Sequence, residues 1–394
     1  MFNPALGVLF HWIGGLASGS FYVPFRFVRF WSWETFWLTG GIFSWIIAPW
    51  GFAYFMTNDL IPVLRETPVE THFWSYFFGL LWGLGGLTFG LTMRYLGMSL
   101  GMAMVLGYCA AFGTLVPPIF SGEFTTTVLG TAAGRVVLLG IAVCMIGIAV
   151  AGLAGISKER EMSSEQKQAV IKEFNLRKGV LVATFSGVMS ACFSFGLAAG
   201  EPIKKLTLQH GTAVLWQGLP VLVVVLLGGF TTNFLWCLML NVRNKTGHEY
   251  FSPELETTVS AAAMEASAHG APVTAGRASA QRERVQVPML KNYLFCAIAG
   301  TTWYFQFFFY SMGETQMGVY KFSSWTLHMA SIIIFSSIWG LVLHEWRGAG
   351  KRTMRLLFLS LAILVGSTLI VGYGNYLGSA GAPIGGSDAD ASSH

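Results

Sequence analysis

Charge is what this 394-residue chain has least of: Asp, Glu, Lys and Arg make up 11% of it, against roughly 25% in a soluble domain. That shortage excludes a water-facing surface over most of its length. Cysteine is also scarce. Cys109, Cys144, Cys192, Cys237 and Cys296 each stand alone in an apolar stretch with no C-x-x-C spacing, so they read as small packing residues rather than a disulfide framework or metal site. A completed zinc motif is missing. HEWRG at 344–348 begins like the zinc-protease H-E-x-x-H but ends in Gly348. No aspartate pair lies within an apolar stretch, which leaves a membrane enzyme without a catalytic cluster. The first apolar stretch lacks a basic leader and reads as a permanent helix, not a removable signal. Barrel-like alternation is lacking as well, which leaves helices as the spanning element.

What is present is apolar: 54% of residues are hydrophobic and 15% aromatic. A hydrocarbon core of about 30 Å takes roughly 20 such residues per helix. Ten stretches qualify, near 5–25, 33–55, 73–93, 97–120, 134–155, 178–198, 212–240, 292–312, 322–344 and 354–376. Of the 24 Lys and Arg, 19 fall in the odd-numbered connections and five in the even ones. Basic connections stay in the cytoplasm, so the odd ones are expected there and both termini in the periplasm. A net charge of +5 is thus an orientation signal and gives no support to a nucleic-acid partner. NKT at 244–246 matches a glycosylation acceptor, but this orientation puts it in the cytoplasm.

The charged stretch 157–177 divides the chain into five helices at 1–156 and five at 178–378. Five is odd, so the second half enters the membrane inverted. GLASGSF at 15–21 returns loosely as GVMSACF at 187–193, and 133–152 echoes 350–372. Inverted repeats are a transporter architecture with a site at the repeat interface. Residues near 244–290 form an insertion with too few large apolar residues for a core, expected to be a flexible or partly helical cytoplasmic loop; 379–394 is a polar periplasmic tail. The fold class expected is therefore an all-α polytopic membrane protein of ten transmembrane helices in two inverted five-helix repeats.

Several segments, FYVPF (21–25), WSWETFW (31–37), LTMRYLGMSLG (91–101), EFNLRKG (173–179), WYFQFFFYSMGE (303–314), SWTLHM (324–329) and GLVLHEWRGAG (340–350), occur in one order along the chain. In these it resembles the bacterial L-rhamnose–proton symporters of the drug/metabolite transporter superfamily. The resemblance implies ten helices, a bacterial inner-membrane location, lipid as surroundings, and uptake of L-rhamnose or a related 6-deoxyhexose with a proton and no other cofactor. The alternative is a proton-coupled exporter of drugs or metabolites with the same fold.

A neutral sugar calls for aromatic faces against its C–H side and neutral polar groups against its hydroxyls. Polar residues within spanning helices are costly, so each is a candidate. On the first helix these are His11 and Tyr22; on the seventh, Gln217. Trp303, Gln306 and Tyr310 follow an i, i+3, i+7 stripe on the eighth, and Trp325 and His328 lie on the ninth. The depths of His11, Gln306 and His328 agree at 1.5 Å per residue, as one cavity requires. No Asp or Glu falls near the middle of a spanning stretch. The proton-coupling or gating candidates are therefore His11 and His328, which titrate in the physiological range, with Glu34 at the cytoplasmic entrance of the second helix and Arg94 at the cytoplasmic end of the third.

Overall fold

A backbone in lipid must bond to itself, and runs of some twenty apolar residues do so as helices. The computed structural model describes residues 2–161, 175–257 and 283–380. Most of the expected 157–177 linker, the middle of the 244–290 insertion and nearly all of the tail lie outside the described residues. The ten long helices are α1 (Pro4–Phe25), α2 (Trp33–Met56), α3 (Val69–Leu96), α4 (Met98–Phe120), α5 (Ala132–Glu161), α6 (Leu176–Ala199), α7 (Leu219–Asn244), α8 (Met289–Glu314), α9 (Ser324–Val342) and α10 (Lys351–Ala380). Among the described residues nine helices are long and apolar enough to cross a membrane. The helix outside that set is α8. Its 26 residues reach about 39 Å, but Asn292, Thr301, Thr302, Tyr304 and Gln306 lower its hydropathy.

Several boundaries differ from the sequence reading for local reasons. Pro220 falls in the first turn of α7, so the helix begins at Leu219, after a one-turn 3-10 helix Val214–Trp216. Gln217, expected on the seventh helix, sits in the turn before it. Gly97, at φ +80°, joins α3 to α4 in one residue. The insertion, expected to be irregular or partly helical, is framed by a two-stranded antiparallel stem, β1 (Glu254–Thr257) and β2 (Glu283–Gln286), with Glu254 opposite Gln286.

The described residues pack as two compact units. The first takes residues 1–15, 89–194 and 309–394; the second takes 16–88 and 195–308. These units divide the chain differently from its sequential halves: α4, α5, α9 and α10 lie in the first, α2 and α7 in the second, and α1, α3, α6 and α8 contribute to both.

Within the first unit, α5 and α10 pack antiparallel along small residues spaced by seven. On α5 these are Ala133, Gly140, Gly147 and Ala154; on α10, Thr353, Ser360, Ser367 and Gly374. A Cβ at Gly140 would lie 2.9 Å from the Val371 backbone nitrogen, one at Gly147 2.8 Å from Leu364 Cδ2, and one at Gly374 2.9 Å from the Val137 backbone nitrogen. Lipid tails are as apolar as leucine, so such close backbone contact is what holds helices together. At the end of the pair Glu161 accepts bonds from the Gly350 amide at 2.7 Å and the Thr353 hydroxyl at 2.7 Å.

Contacts between connections keep to one parity. In the first unit the Asn175 amide donates to Tyr95 O, Glu161 caps α10, and Thr131 bonds the Tyr320 hydroxyl. In the second, Asn292 exchanges two bonds with the Arg29 backbone, Ser32 bonds Glu249, and His210 bonds Asp59.

Candidate functional site

Each unit carries its own group of buried aromatic and polar side chains. In the first unit the group forms because α1 and α9 come very close. A Cβ at Gly15 would sit 2.6 Å from the backbone carbon of Ser331, a contact that only glycine permits. His11, four residues before Gly15, and His328, three before Ser331, are thereby both held against Tyr310 from α8. The ring centroids lie 5.3 Å from Tyr310 for His11 and 5.4 Å for His328. Both imidazoles are fully buried. Neither ring nitrogen of His11 has a hydrogen-bond partner among the described residues. Gly313 keeps space for this ring, since a Cβ there would meet His11 Nε2 at 2.8 Å.

Trp325 completes the group, 5.8 Å from Tyr310 and 5.9 Å from His328. Its indole N–H is already committed, donating to Cys109 O at 3.0 Å. Gly113 makes this possible, because a Cβ there would lie 2.2 Å from Trp325 Nε1. Phe193 stacks on the indole at 5.9 Å, and Thr114 and Thr326 bond at 2.7 Å. Trp325 therefore offers an aromatic face and no free donor.

In the second unit the observed centre is a partly open recess lined by Phe21, Trp37, Trp45 and Trp303 with Gly40, Gly41, Ser44, Ala299 and Gly300 among them. Trp303 lies 5.5 Å from Trp45 and 5.7 Å from Trp82. Gln306, on the same helix, is buried, and its Nε2 has no partner among the described residues. The Tyr304 hydroxyl is in the same position. Gln217 is half-buried in its turn. Tyr22 is 49% exposed and packs beside Phe21 and Trp37.

Glu34 is buried in the first turn of α2 and is not an open entrance carboxylate. Its Oε1 accepts from Asn244 Nδ2 and from the Thr246 hydroxyl, each at 2.9 Å. Thr246 also bonds Asn241, which donates to the Tyr250 hydroxyl. Lys245, at φ +57°, turns the chain so that Asn244 and Thr246 both face this carboxylate. The acceptor-like NKT motif is thus the left-handed end of α7. Arg94 is exposed and belongs to the first unit.

Trp303, Gln306 and Tyr310 all lie on α8, but they divide: Trp303 and Gln306 belong to the second unit, Tyr310 to the first. His11, Tyr310, Trp325 and His328 are brought together. The sequence reading missed Trp37, Ser44 and Trp45. The available signal was Pro49, four residues after Trp45. Proline has no N–H to donate and crowds the carbonyl four residues back, and here the helix widens to a π-helical turn at Phe43–Ile47. Among the described residues no cluster of His, Cys, Asp or Glu is arranged to hold a metal ion, and all five cysteines are buried free thiols.

Residues 2–262 and 278–377 match the family described as L-rhamnose-proton symport protein, the gap falling within the insertion. The L-rhamnose-proton symporter of Cronobacter sakazakii is 35% identical over 373 residues, which is 94% of this chain and 97% of the relative. Those of Mannheimia succiniciproducens and Pectobacterium carotovorum subsp. carotovorum are each 34% identical, covering 94% and 95% of this chain and 97% and 99% of the relative.

Proposed function

The chain belongs to the L-rhamnose–proton symport protein family, and from that premise we propose that it carries L-rhamnose, or a related 6-deoxyhexose, into the bacterial cell across the inner membrane together with a proton. The observation that carries this reading is the family match along nearly the whole chain, and it favours uptake over export. Ten spanning helices in two inverted repeats are supported by two features. The last helices of the two halves, α5 and α10, run antiparallel against each other. Helices five apart also have the same fate in the packing: α1 and α6, and α3 and α8, contribute to both units, while α2 and α7 share one. Odd connections meeting odd, and even meeting even, supports connections that alternate between two faces, and the charge-based reading puts both termini in the periplasm.

The proton is carried at the His11–Tyr310–His328 group, where two imidazoles flank a phenol in a water-poor setting. Imidazole is the side chain whose charge ordinarily changes between pH 5 and 8. A proton bound to either ring repels one on the other, so the pair carries one proton at a time. The candidates for sugar contact are Trp303, Gln306, Tyr22 and Gln217 in the second unit and Tyr310 and Trp325 in the first. Glu34 acts as a gating residue through Asn244 and Thr246, with Arg94 as a cytoplasmic anchor. One inward charge contributes roughly 2.3 kcal/mol per 100 mV. At about 1.4 kcal/mol per tenfold, that supports roughly 50-fold accumulation per 100 mV.

The test is uptake of labelled L-rhamnose into proteoliposomes under an inward proton gradient, then with an ionophore. Accumulation should vanish with the gradient. His11→Gln and His328→Gln should equilibrate the sugar without accumulating it. Unchanged accumulation in both variants would remove the histidine assignment, and absence of uptake by wild type would remove the rhamnose reading.

A further inference from the structure

The aromatic recess of the second unit has the makings of a sugar subsite that the polar residues of the spanning helices do not reveal. Its floor exists because of glycines. A Cβ at Gly300 would lie 2.1 Å from Gly40 O, so α2 and α8 touch backbone to backbone there. At Gly41 a Cβ would meet the Trp45 ring at 2.5 Å. Glycine at 41 therefore lets the indole lie down over its own helix. The π-helical turn at Phe43–Ile47 carries Ser44 and Trp45 to the lining, and such turns recur at functional sites.

A second observation points to a ligand. Trp45 is only 3% exposed, yet its indole N–H has no acceptor among the described residues. Its neighbour Trp37 is satisfied, donating to Asn233 Oδ1 at 3.2 Å. A buried donor left unpaired is costly, and a ligand oxygen that pairs it recovers that cost on binding.

Resting on the sugar-uptake reading, the geometry points to this recess as the subsite for the apolar face of the pyranose: Trp37, Trp45 and Trp303 pack on its C–H bonds, and Trp45 Nε1–H donates to a sugar oxygen. The recess takes one face of the ring, with the remaining hydroxyls left to polar groups elsewhere. Trp45 is then an affinity-determining residue for the transported sugar, on a helix for which sequence gave no sugar contact.

Calorimetric titration of L-rhamnose into the purified full-length transporter tests this with three proteins: wild type, Trp45→Phe and Trp50→Phe. Trp45→Phe keeps an aromatic ring and removes the donor; its Kd should rise roughly tenfold with the melting temperature unchanged. Trp50, on the same helix outside the recess, serves as the control and should bind as wild type. Trp45→Phe binding within twofold of wild type overturns the subsite. Equal weakening in both variants overturns it too, since the effect would then belong to the helix. Wild type that binds no L-rhamnose overturns the uptake reading itself and the subsite with it, an outcome distinct from the other two.

Discussion

At the residue scale, what matters is whether a buried polar atom is already satisfied, and two tryptophans in this chain are opposites in this respect. Trp325 donates to Cys109 O, while Trp45 donates to nothing among the described residues. The same substitution should therefore act in different directions. Trp325→Phe loses a made hydrogen bond and should cost about 1 kcal/mol of stability. Trp45→Phe removes an orphaned donor and should leave stability unchanged or slightly higher. Thermal unfolding in one detergent compares the two directly, and equal losses would contradict the assignment. The same distinction separates Glu34 from the histidines. Glu34 receives two side-chain bonds, whereas neither His11 ring nitrogen has a hydrogen-bond partner among the described residues.

At the scale of elements, the α5–α10 seam argues that glycine position outweighs glycine number. Gly140→Ala puts a methyl 2.9 Å from the Val371 backbone nitrogen, which cannot move aside, whereas a Cβ at Gly366 meets nothing within 4 Å. Gly140→Ala should destabilise by about 1–3 kcal/mol, and Gly366→Ala should be neutral or better; unfolding midpoints distinguish them. Hydrophobic length made nine of the long helices legible in the sequence, and heptad spacing of small residues marks the α5–α10 seam, but other elements were hidden. A 3.6-residue period cannot register the π-helical turn at Phe43–Ile47, so Trp45 went unassigned. The β1–β2 stem is only four residues a side, and its pairing depends on a partner strand far along the chain.

A third element-scale feature joins two connections of the second unit. His210 Nε2 bonds Glu66 at 3.0 Å and Nδ1 bonds Asp59 at 3.3 Å, and the hydrogen bonds to Glu66 and then Asp59 raise its pKa above the ordinary imidazole value. A raised pKa means that the charged clasp is fully present below about 6.5. It is lost as pH rises through the higher folded value. Amide exchange at Asn58 and Thr212, whose backbone and side chain bond at 2.9 Å, should therefore quicken with rising pH beyond the intrinsic trend. Amides of α7, distant from the clasp, give that trend. His210→Gln should remove the excess, and an excess that survives the substitution would assign it elsewhere.

At the scale of the whole molecule, the five-plus-five reading turns on which way the chain faces, while the direction of accumulation follows the side from which protons arrive. Charge placement gives an expectation for the facing from sequence alone, since basic residues resist translocation. The proximity of His11, Tyr310 and His328 was not legible, because depth along three helices does not determine which neighbours they take. That is set by contacts such as Gly15 against Ser331, where one missing Cβ decides the approach. The five native cysteines are all buried, which leaves a low background for introduced thiols. Glu123, between α4 and α5, and Glu345, between α9 and α10, are both exposed. They fall in connections of opposite parity. In intact cells a membrane-impermeant maleimide should label Glu123→Cys and spare Glu345→Cys, and both should label after the membrane is opened. The reverse pattern would invert the transporter and place the basic connections outside. Labelling of both in sealed cells would mean that the connections do not alternate, and the five-plus-five inversion would fall with them.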